Sequence, residues 1–385
     1  MSDKKLRIAV LTRNYSKFGG GAERYCVELT ERLSEIYDVH VYSQINHEQS
    51  SKITFHEIPQ WIKRPSFLSR LIFSYLTKLK VRGKFDIVHS HALVQHADLY
   101  TFHVPCIKTK LSNSKGIKKI ILWLGSLLSP RKITYLLLEN SQIKPQSNRH
   151  FISVSEYLSR NLLQSYPQLK GHITIAYPGI NISQIDEERL TKMRNEFRTL
   201  HNIPTSSFIL LFVAHGFKRK GLPAIIKALE ILNNKNIHIV IAGSGDPKEI
   251  QINSPVVQNN IHFIGVVKNM GELYPVADTL IHPTLGDTYG MVVLEAMSHK
   301  VPVIVSSDQY CGISEHLDSK NAIILNNPRD PIEISKAINL FIVNSDFKKK
   351  ISIAGYKKAI ETTWENTLKQ TIKSINTIYQ KKIKL

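Results

Sequence analysis

The chain has 385 residues, 42% of them hydrophobic and 21% charged, a balance that excludes a disordered or fibrous protein and a length that calls for two domains. Fifty-one Lys and Arg against 31 Asp and Glu give a formal net charge of +20, which points to an anionic partner: nucleic acid, an acidic membrane surface or a phosphorylated substrate. Cys26, Cys106 and Cys311 lie far apart with no CxxC pair, which argues against a structural zinc site or a disulfide scaffold and fits a reducing compartment.

The N-terminal "MSDKKLRIAVLTRNY" holds one short apolar run, which reads as a strand and not as a signal peptide. The stretch "NYSKFGGGAERY" then opens a helix on which Ala22, Cys26, Leu29 and Leu33 share a face. Three glycines there allow close backbone approach to a ligand, and the N–H groups of a helix start attract an anion. A flexible strand–helix turn explains the same residues, and the spacing is not GxGxxG, so no dinucleotide fingerprint is supported.

"DVHVYSQ", "FDIVHSHA" and "HFISVSE" read as further strands. Between them, residues 61–85 carry seven Lys or Arg and no acid, and residues 107–138 carry seven more and again no acid. Apolar residues recur among these cations at helical spacing, which suits an anionic bilayer or a phosphorylated lipid-linked acceptor; a solvated basic face explains the same pattern. The longest apolar cluster, "IILWLGSLL", reaches about half of the ~20 residues a membrane-spanning helix needs. A cytoplasmic protein, resting on a membrane surface at most, is expected. "YTFHVPC" places His103 after an apolar–aromatic run, where a lone histidine is more often structural than catalytic.

A second series starts near residue 208 with "FILLFVAH", "IHIVIAG", "IHFIGVV", "DTLIHPT" and "VPVIVSS", separated by helical patterns such as "LPAIIKALEILNN" and "MGELYPVA". Strand–helix alternation implies parallel sheets covered by helices, and two series imply two doubly wound domains. The joint falls in "AYPGINISQ", and the lysine-rich segment after about residue 346 is helical.

Two stretches of the second series carry chemistry. In "VAHGFKRKGL", Lys218, Arg219 and Lys220 follow a strand, where open α/β sheets bind ligands; a guanidinium and an ammonium there suit a diphosphate, although a short basic turn is often just solvated. In "DTYGMVVLEAM", Asp287 lies in a loop and Glu295 in an apolar helix, where a charge needs a partner. Gly290 lets the helix start approach a ligand, and the N–H groups of Gly290, Met291 and Val292 suit a phosphate. A carboxylate at Glu295 suits a vicinal diol such as ribose, and Asp287 a second polyol.

The ordered set "GGGAERY", "SVSEYLSRNL", "YPGIN", "FKRKG", "IAGSGD", "HFIGVV" and "DTYGMVVLEAM" resembles glycosyltransferase family 4, over roughly residues 6–365. Within it the chain looks nearest to lipopolysaccharide core enzymes of the glucosyltransferase I kind. The resemblance implies the α/β GT-B fold: two Rossmann-like doubly wound domains facing across a cleft. An acceptor-binding domain would span 1–178, a nucleotide-sugar domain 179–360, and a C-terminal helix, 361–385, would return to the first.

It implies a retaining transfer from a nucleotide-diphosphate sugar, most commonly a UDP-sugar, to an envelope glycolipid, on the cytoplasmic face of the inner membrane. Glu295 would hold ribose, Arg219 and Lys220 the diphosphate, and Gly20 and Gly21 would approach that diphosphate. Asp287, where the family more often has Glu, would grip the donor sugar. His103 would face that sugar, with Asp98 the competing residue. No DxD-like acidic pair stands at a strand end, so no metal and no cofactor is expected. Two other classes stay open: a nucleotide-sugar epimerase of the same architecture, which needs an acid–base pair, and a nucleic-acid binder, suggested by charge alone.

Overall fold

The computed structural model describes residues 5–384 apart from 113–115, 117–123, 126–128, 145, 147 and 183–185. The chain divides into two compact units, Met1–Gly179 with Trp364–Leu385, and Ile180–Thr363.

In the first unit the strands are β1 (Arg7–Leu11), β2 (Asn14–Tyr15), β3 (Asp38–Ser43), β4 (Ile45–Asn46), β5 (Ile53–Glu57), β6 (Ile87–Ser90), β7 (Leu99–Phe102), β8 (His150–Ser153) and β9 (Ile173–Ile175). Seven of them form one sheet in the order β5-β3-β1-β6-β7-β8-β9, and every pair in it is parallel. β2 and β4 make a separate two-stranded ribbon. β1 and β6 are almost wholly buried along their length, as strands covered on both faces must be. Ile8, Val10, Leu11, Val39, Val41 and Ile87 form the centre of this core, and the helix Trp364–Ile383 closes it with Trp364, Ile375 and Ile378. That helix belongs to the first unit.

The second unit carries β10 (Phe208–His215), β11 (Ile237–Ser244), β12 (Ile261–Gly265), β13 (Thr279–His282), β14 (Val303–Ser306) and β15 (Ile323–Leu325), in the order β12-β11-β10-β13-β14-β15. Its pairs are parallel throughout. Both sheets reverse their strand order at the first strand, between β1 and β6 and between β10 and β13. In doubly wound sheets that switch point opens a crevice beyond the carboxyl ends of the two strands. The loops after β1, β6, β10 and β13 are therefore where ligand-binding residues belong.

Local chemistry departs from the helical reading of "MGELYPVA". The helix stops at Leu273, and Tyr274–Val276 forms a 3-10 turn, because Pro275 offers no N–H to continue an α-helical ladder. The basic segment after residue 61 does form a helix, Ser66–Val81, but its orientation is unusual. It buries Ser69, Ser74 and Thr77 beside Phe73, and it exposes Leu68, Leu71, Tyr75 and Leu79. The helix Pro130–Ile143 likewise exposes Ile133 and Leu137. The two helices touch where Ser66 Oγ lies 3.3 Å from the Tyr135 hydroxyl and Arg70 stacks over the Tyr135 ring. Most of "IILWLGSLL" and the side chains of Lys110, Lys115, Lys118 and Lys119 lie outside the described residues, while Lys108 and Lys132 are described. Among the described residues no helix is long and apolar enough to cross a membrane.

Candidate functional site

The loop after β10, residues 216–221, and the loop after β13, residues 283–290, lie on either side of the switch point of the second sheet. They are laced together. Arg219 donates to the Gly286 carbonyl at 2.6 Å, and the Leu285 N–H donates to the Arg219 carbonyl at 3.0 Å. Gly221 has φ +89°, and a Cβ there would stand 2.1 Å from the Pro283 carbonyl oxygen. Only glycine permits both that conformation and that approach.

Lys220 is 8% exposed and its ammonium pairs with Asp287 Oδ2. His282, at the end of β13 and 1% exposed, bonds the same oxygen through Nε2 at 3.0 Å. A carboxylate only accepts, so Nε2 carries the proton of His282. Burial, with the nearby Lys220 and Arg219 charges, lowers the His282 pKa despite Asp287, which favours a neutral ring with a lone pair on Nδ1. Burial pushes the Asp287 carboxyl up, but Lys220 and His282 outweigh it and hold the acid well below the usual carboxylate range. Lys218, expected beside these two, points elsewhere: it is exposed and pairs with Glu249 at 3.4 Å.

Asp287 is further pinned through its backbone, with its N–H on the Tyr310 carbonyl at 2.8 Å and its carbonyl accepting from Gly312 at 3.1 Å. Three residues on, Gly290 has φ +98° and caps the helix Met291–Ser298. A Cβ at Gly290 would lie 2.7 Å from Cys311 Sγ. The helix therefore starts directly from a tight left-handed turn. The N–H groups of Met291 and Val292 have no acceptor within the helix, as at every helix start, and they give an anion a place to rest. Glu295 follows on the same helix, 8% exposed, and accepts from the Tyr274 hydroxyl at 2.5 Å.

In the first unit, Gly20 caps the helix Gly21–Leu33, which follows β1 as expected. Glu23 in its first turn lies over Gly19 and Gly20, so an anion arriving there would meet a carboxylate that must turn away. His103 lies one residue past the carboxyl end of β7. Its Nε2 is 2.9 Å from His91 Nδ1, and the two rings stack with centroids 5.2 Å apart. His89 packs against His91 at 4.5 Å and bonds Thr101 Oγ1 through Nε2 at 2.8 Å. Burial depresses all three imidazoles, His89 and His103 to about 3 and His91 well below its ordinary value. Tyr25, from "GGGAERY", sets its ring edge-on to His103 at 5.0 Å and to Trp364 at 5.5 Å.

Asp98 does not join this group. It precedes β7, at the opposite end of the strand from His103. Its Oδ2 accepts from the Val88 N–H at 2.8 Å and pairs with Lys382 at 2.7 Å. Asp98 thus ties β6 to the C-terminal helix, at the end of β7 away from His103. Sequence reading missed His282, His91 and Tyr274. The alternation "HSH" at a strand end was a usable signal for His91, whereas nothing local marked the other two.

Residues 193–358 match the family model for glycosyl transferases group 1, and residues 19–184 match that for glycosyltransferase family 4. The chain belongs to the family 4 glycosyltransferases. An uncharacterised glycosyltransferase of Methanocaldococcus jannaschii, MJ1607, is 25% identical to it over 95% of this chain and 97% of its own. The alpha-monoglucosyldiacylglycerol synthase of Acholeplasma laidlawii is 23% identical over 96% of this chain and 100% of its own. The lipopolysaccharide glucosyltransferase WaaG of Escherichia coli is 22% identical over 65% of this chain and 66% of its own. A crystal structure of WaaG superimposes with a TM-score of 0.78 at 19% identity, covering 95% of this chain and 98% of that one. The two-sheet architecture of this glycosyltransferase is thus the GT-B fold. Its family removes the nucleic-acid and epimerase readings that charge and architecture alone left open.

Proposed function

We propose that this glycosyltransferase moves a sugar, with retention of anomeric configuration, from a nucleoside-diphosphate sugar to an anionic lipid-linked envelope acceptor of the lipopolysaccharide-core kind. The second unit, roughly residues 179–360, holds the donor, and the first, roughly 1–178, receives the acceptor. The observation that carries this reading is the double loop at the switch point of the second sheet. There Arg219, Lys220 and the N–H groups of Gly290, Met291 and Val292 come from two loops bound directly to each other.

In the reaction the bond from the anomeric carbon to the diphosphate oxygen breaks and a bond to an acceptor hydroxyl oxygen forms on the same face. The hydroxyl proton leaves with the diphosphate. Negative charge grows on the departing oxygen, and Arg219, Lys220 and the helix start stabilise it electrostatically. These fixed cations do the work a divalent metal does in other transferases. Glu295 accepts from the ribose hydroxyls and Asp287 from the donor sugar. A diphosphate arriving at Lys220 takes over part of a charge that Asp287 now balances.

The acceptor side rests on the two helices Ser66–Val81 and Pro130–Ile143. Leu68, Leu71, Tyr75, Leu79, Ile133 and Leu137 are exposed, and Lys63, Arg64, Lys78, Lys80, Arg82, Lys84 and Arg131 are exposed beside them in the chain. An apolar stripe flanked by cations, with no acid between residues 61 and 85, suits the cytoplasmic face of an anionic bilayer. The full-length synthase relative named for a glycolipid is consistent with that surface.

The test is a calorimetric titration of the purified chain with UDP, GDP and ADP and their sugars, with and without EDTA. Binding of one nucleotide class, unchanged by EDTA and lost in Glu295→Ala, is expected. Absence of binding by all of them, or strict dependence on a divalent cation, overturns the donor reading. Flotation with phosphatidylglycerol vesicles against phosphatidylcholine vesicles tests the surface: salt-sensitive binding to the first alone is expected, and equal recovery with both overturns it.

A further inference from the structure

Tyr274 and Glu295 are brought together from two elements of the second unit. Tyr274 begins the 3-10 turn Tyr274–Val276, and Glu295 lies in the helix Met291–Ser298. The phenol donates to Glu295 Oε2 at 2.5 Å, with Tyr274 1% and Glu295 8% exposed. The Tyr274 ring packs against His299 at 5.5 Å between centroids. His299 Nδ1 lies 2.8 Å from the Glu295 carbonyl oxygen, and Ser298 Oγ donates to that same oxygen at 2.7 Å. The backbone of Glu295 and one oxygen of its carboxylate are thus held by three neighbouring side chains.

A glutamate side chain has three rotatable bonds, and burial alone does not choose the plane of its carboxylate. A carboxylate offers about four lone-pair directions over two oxygens. A vicinal diol is recognised by two of them at once, which requires that the plane be fixed. The Tyr274 hydroxyl takes one direction on Oε2 and fixes it. A site built to bond a hydroxyl discriminates against an analogue lacking it by large factors, but only while its acceptor stays in place.

We infer that Tyr274 is a positioning residue, which orients the Glu295 carboxylate toward the 2′,3′-diol of the donor's ribose and so sets the preference for ribonucleotide over deoxyribonucleotide. This rests on the ribose role of Glu295 proposed above.

The experiment compares the affinities of UDP and 2′-deoxy-UDP (or the matching pair of the base that binds) for the full chain. The wild type is expected to bind the ribo form at least about 10-fold tighter. Tyr274→Phe, which keeps the ring against His299, is expected to bring that ratio below about 3 by weakening the ribo form alone. An unchanged ratio, or equal weakening of both nucleotides, overturns the inference. In a Glu295→Gln background, which leaves no buried charge stranded, Tyr274→Phe is expected to change the ratio no further; a further change also overturns it. A wild type that does not discriminate removes the ribose role of Glu295 and the inference with it. A wild type whose discrimination is lost in Glu295→Gln but kept in Tyr274→Phe removes the inference only.

Discussion

Lys220 and His282 meet on a single oxygen of Asp287, one as an ammonium from the loop after β10 and the other as a neutral imidazole ending β13. That oxygen ties together the two loops that flank the switch point. A half-buried carboxylate held by two donors keeps its charge, and the loop geometry depends on it.

Lys220→Gln is therefore expected to strand the carboxylate and to destabilise the second unit by about 3 kcal/mol. Lys220→Gln with Asp287→Asn is expected to recover most of that loss, because no unpaired charge remains. Thermal melts of the single and double variants decide it: equal Tm values for the two would show that the pair carries no such weight. Arg219→Gln and Lys220→Gln are each expected to weaken nucleotide binding about 10- to 100-fold, the worth of a charged hydrogen bond.

The same pair sets a pH dependence. The folded-state pKa of Asp287 lies below its unfolded value of about 3.9. Its contribution is present above about pH 4 and is lost as the pH falls through and below that value, where the unfolded chain takes the proton first. The Tm difference between wild type and Asp287→Asn is expected to be constant from pH 5 to 7 and to shrink below about pH 4. A difference that persists unchanged at pH 3 would count against the ion pair.

His89 predicts a separate acid sensitivity. Burial lowers it to about 3 from an ordinary value near 6.5. A depressed histidine supports the fold above its unfolded pKa, and that support is lost as pH falls from about 6.5 toward 3. Between those values each such imidazole adds up to ~1.4 kcal/mol per pH unit to the slope of stability. His89→Gln, which retains a polar group facing Thr101, is expected to reduce that slope by about one proton between pH 6 and 4. An unaltered slope in urea titrations over that range would contradict the burial argument.

His103 and Asp98 sit at opposite ends of β7, and their variants should separate accordingly. Asp98→Asn loses the partner of Lys382 and weakens the bond to the Val88 N–H, at a cost of about 1–3 kcal/mol in stability. Sugar transfer by the folded protein is expected to be kept. His103→Ala is expected to lower kcat at least about 10-fold with little change in nucleotide affinity. Loss of turnover in folded Asp98→Asn would return Asp98 to the site.

Gly290→Ala forces a side chain into φ +98° and places its Cβ 2.7 Å from Cys311 Sγ. A loss of about 1–3 kcal/mol and a weakened nucleotide site are expected together, since the same turn starts the helix Met291–Ser298. A Tm equal to wild type would show that the turn relaxes freely.

The two series of buried strands, the basic stretches of the first unit and the glycine turns before helices were legible in the sequence, as was the need of Glu295 for a partner. Those signals are local: β-branched runs bounded by turn residues, and charges placed where an apolar pattern should not hold them. Tertiary structure alone decided what those charges touch. Asp98 and His103 are five positions apart in the chain, yet a parallel strand carries them to opposite edges of the sheet. His282 and Tyr274 drew no notice as single residues, because a histidine or tyrosine in a core strand or turn looks the same whether or not it faces a carboxylate. The helix Ser66–Val81 shows the same limit, since its periodicity gives two faces but only packing decides which is outward. Here packing within the first unit put Ser69, Ser74 and Thr77 inside with Phe73 and left Leu68, Leu71 and Leu79 at the surface.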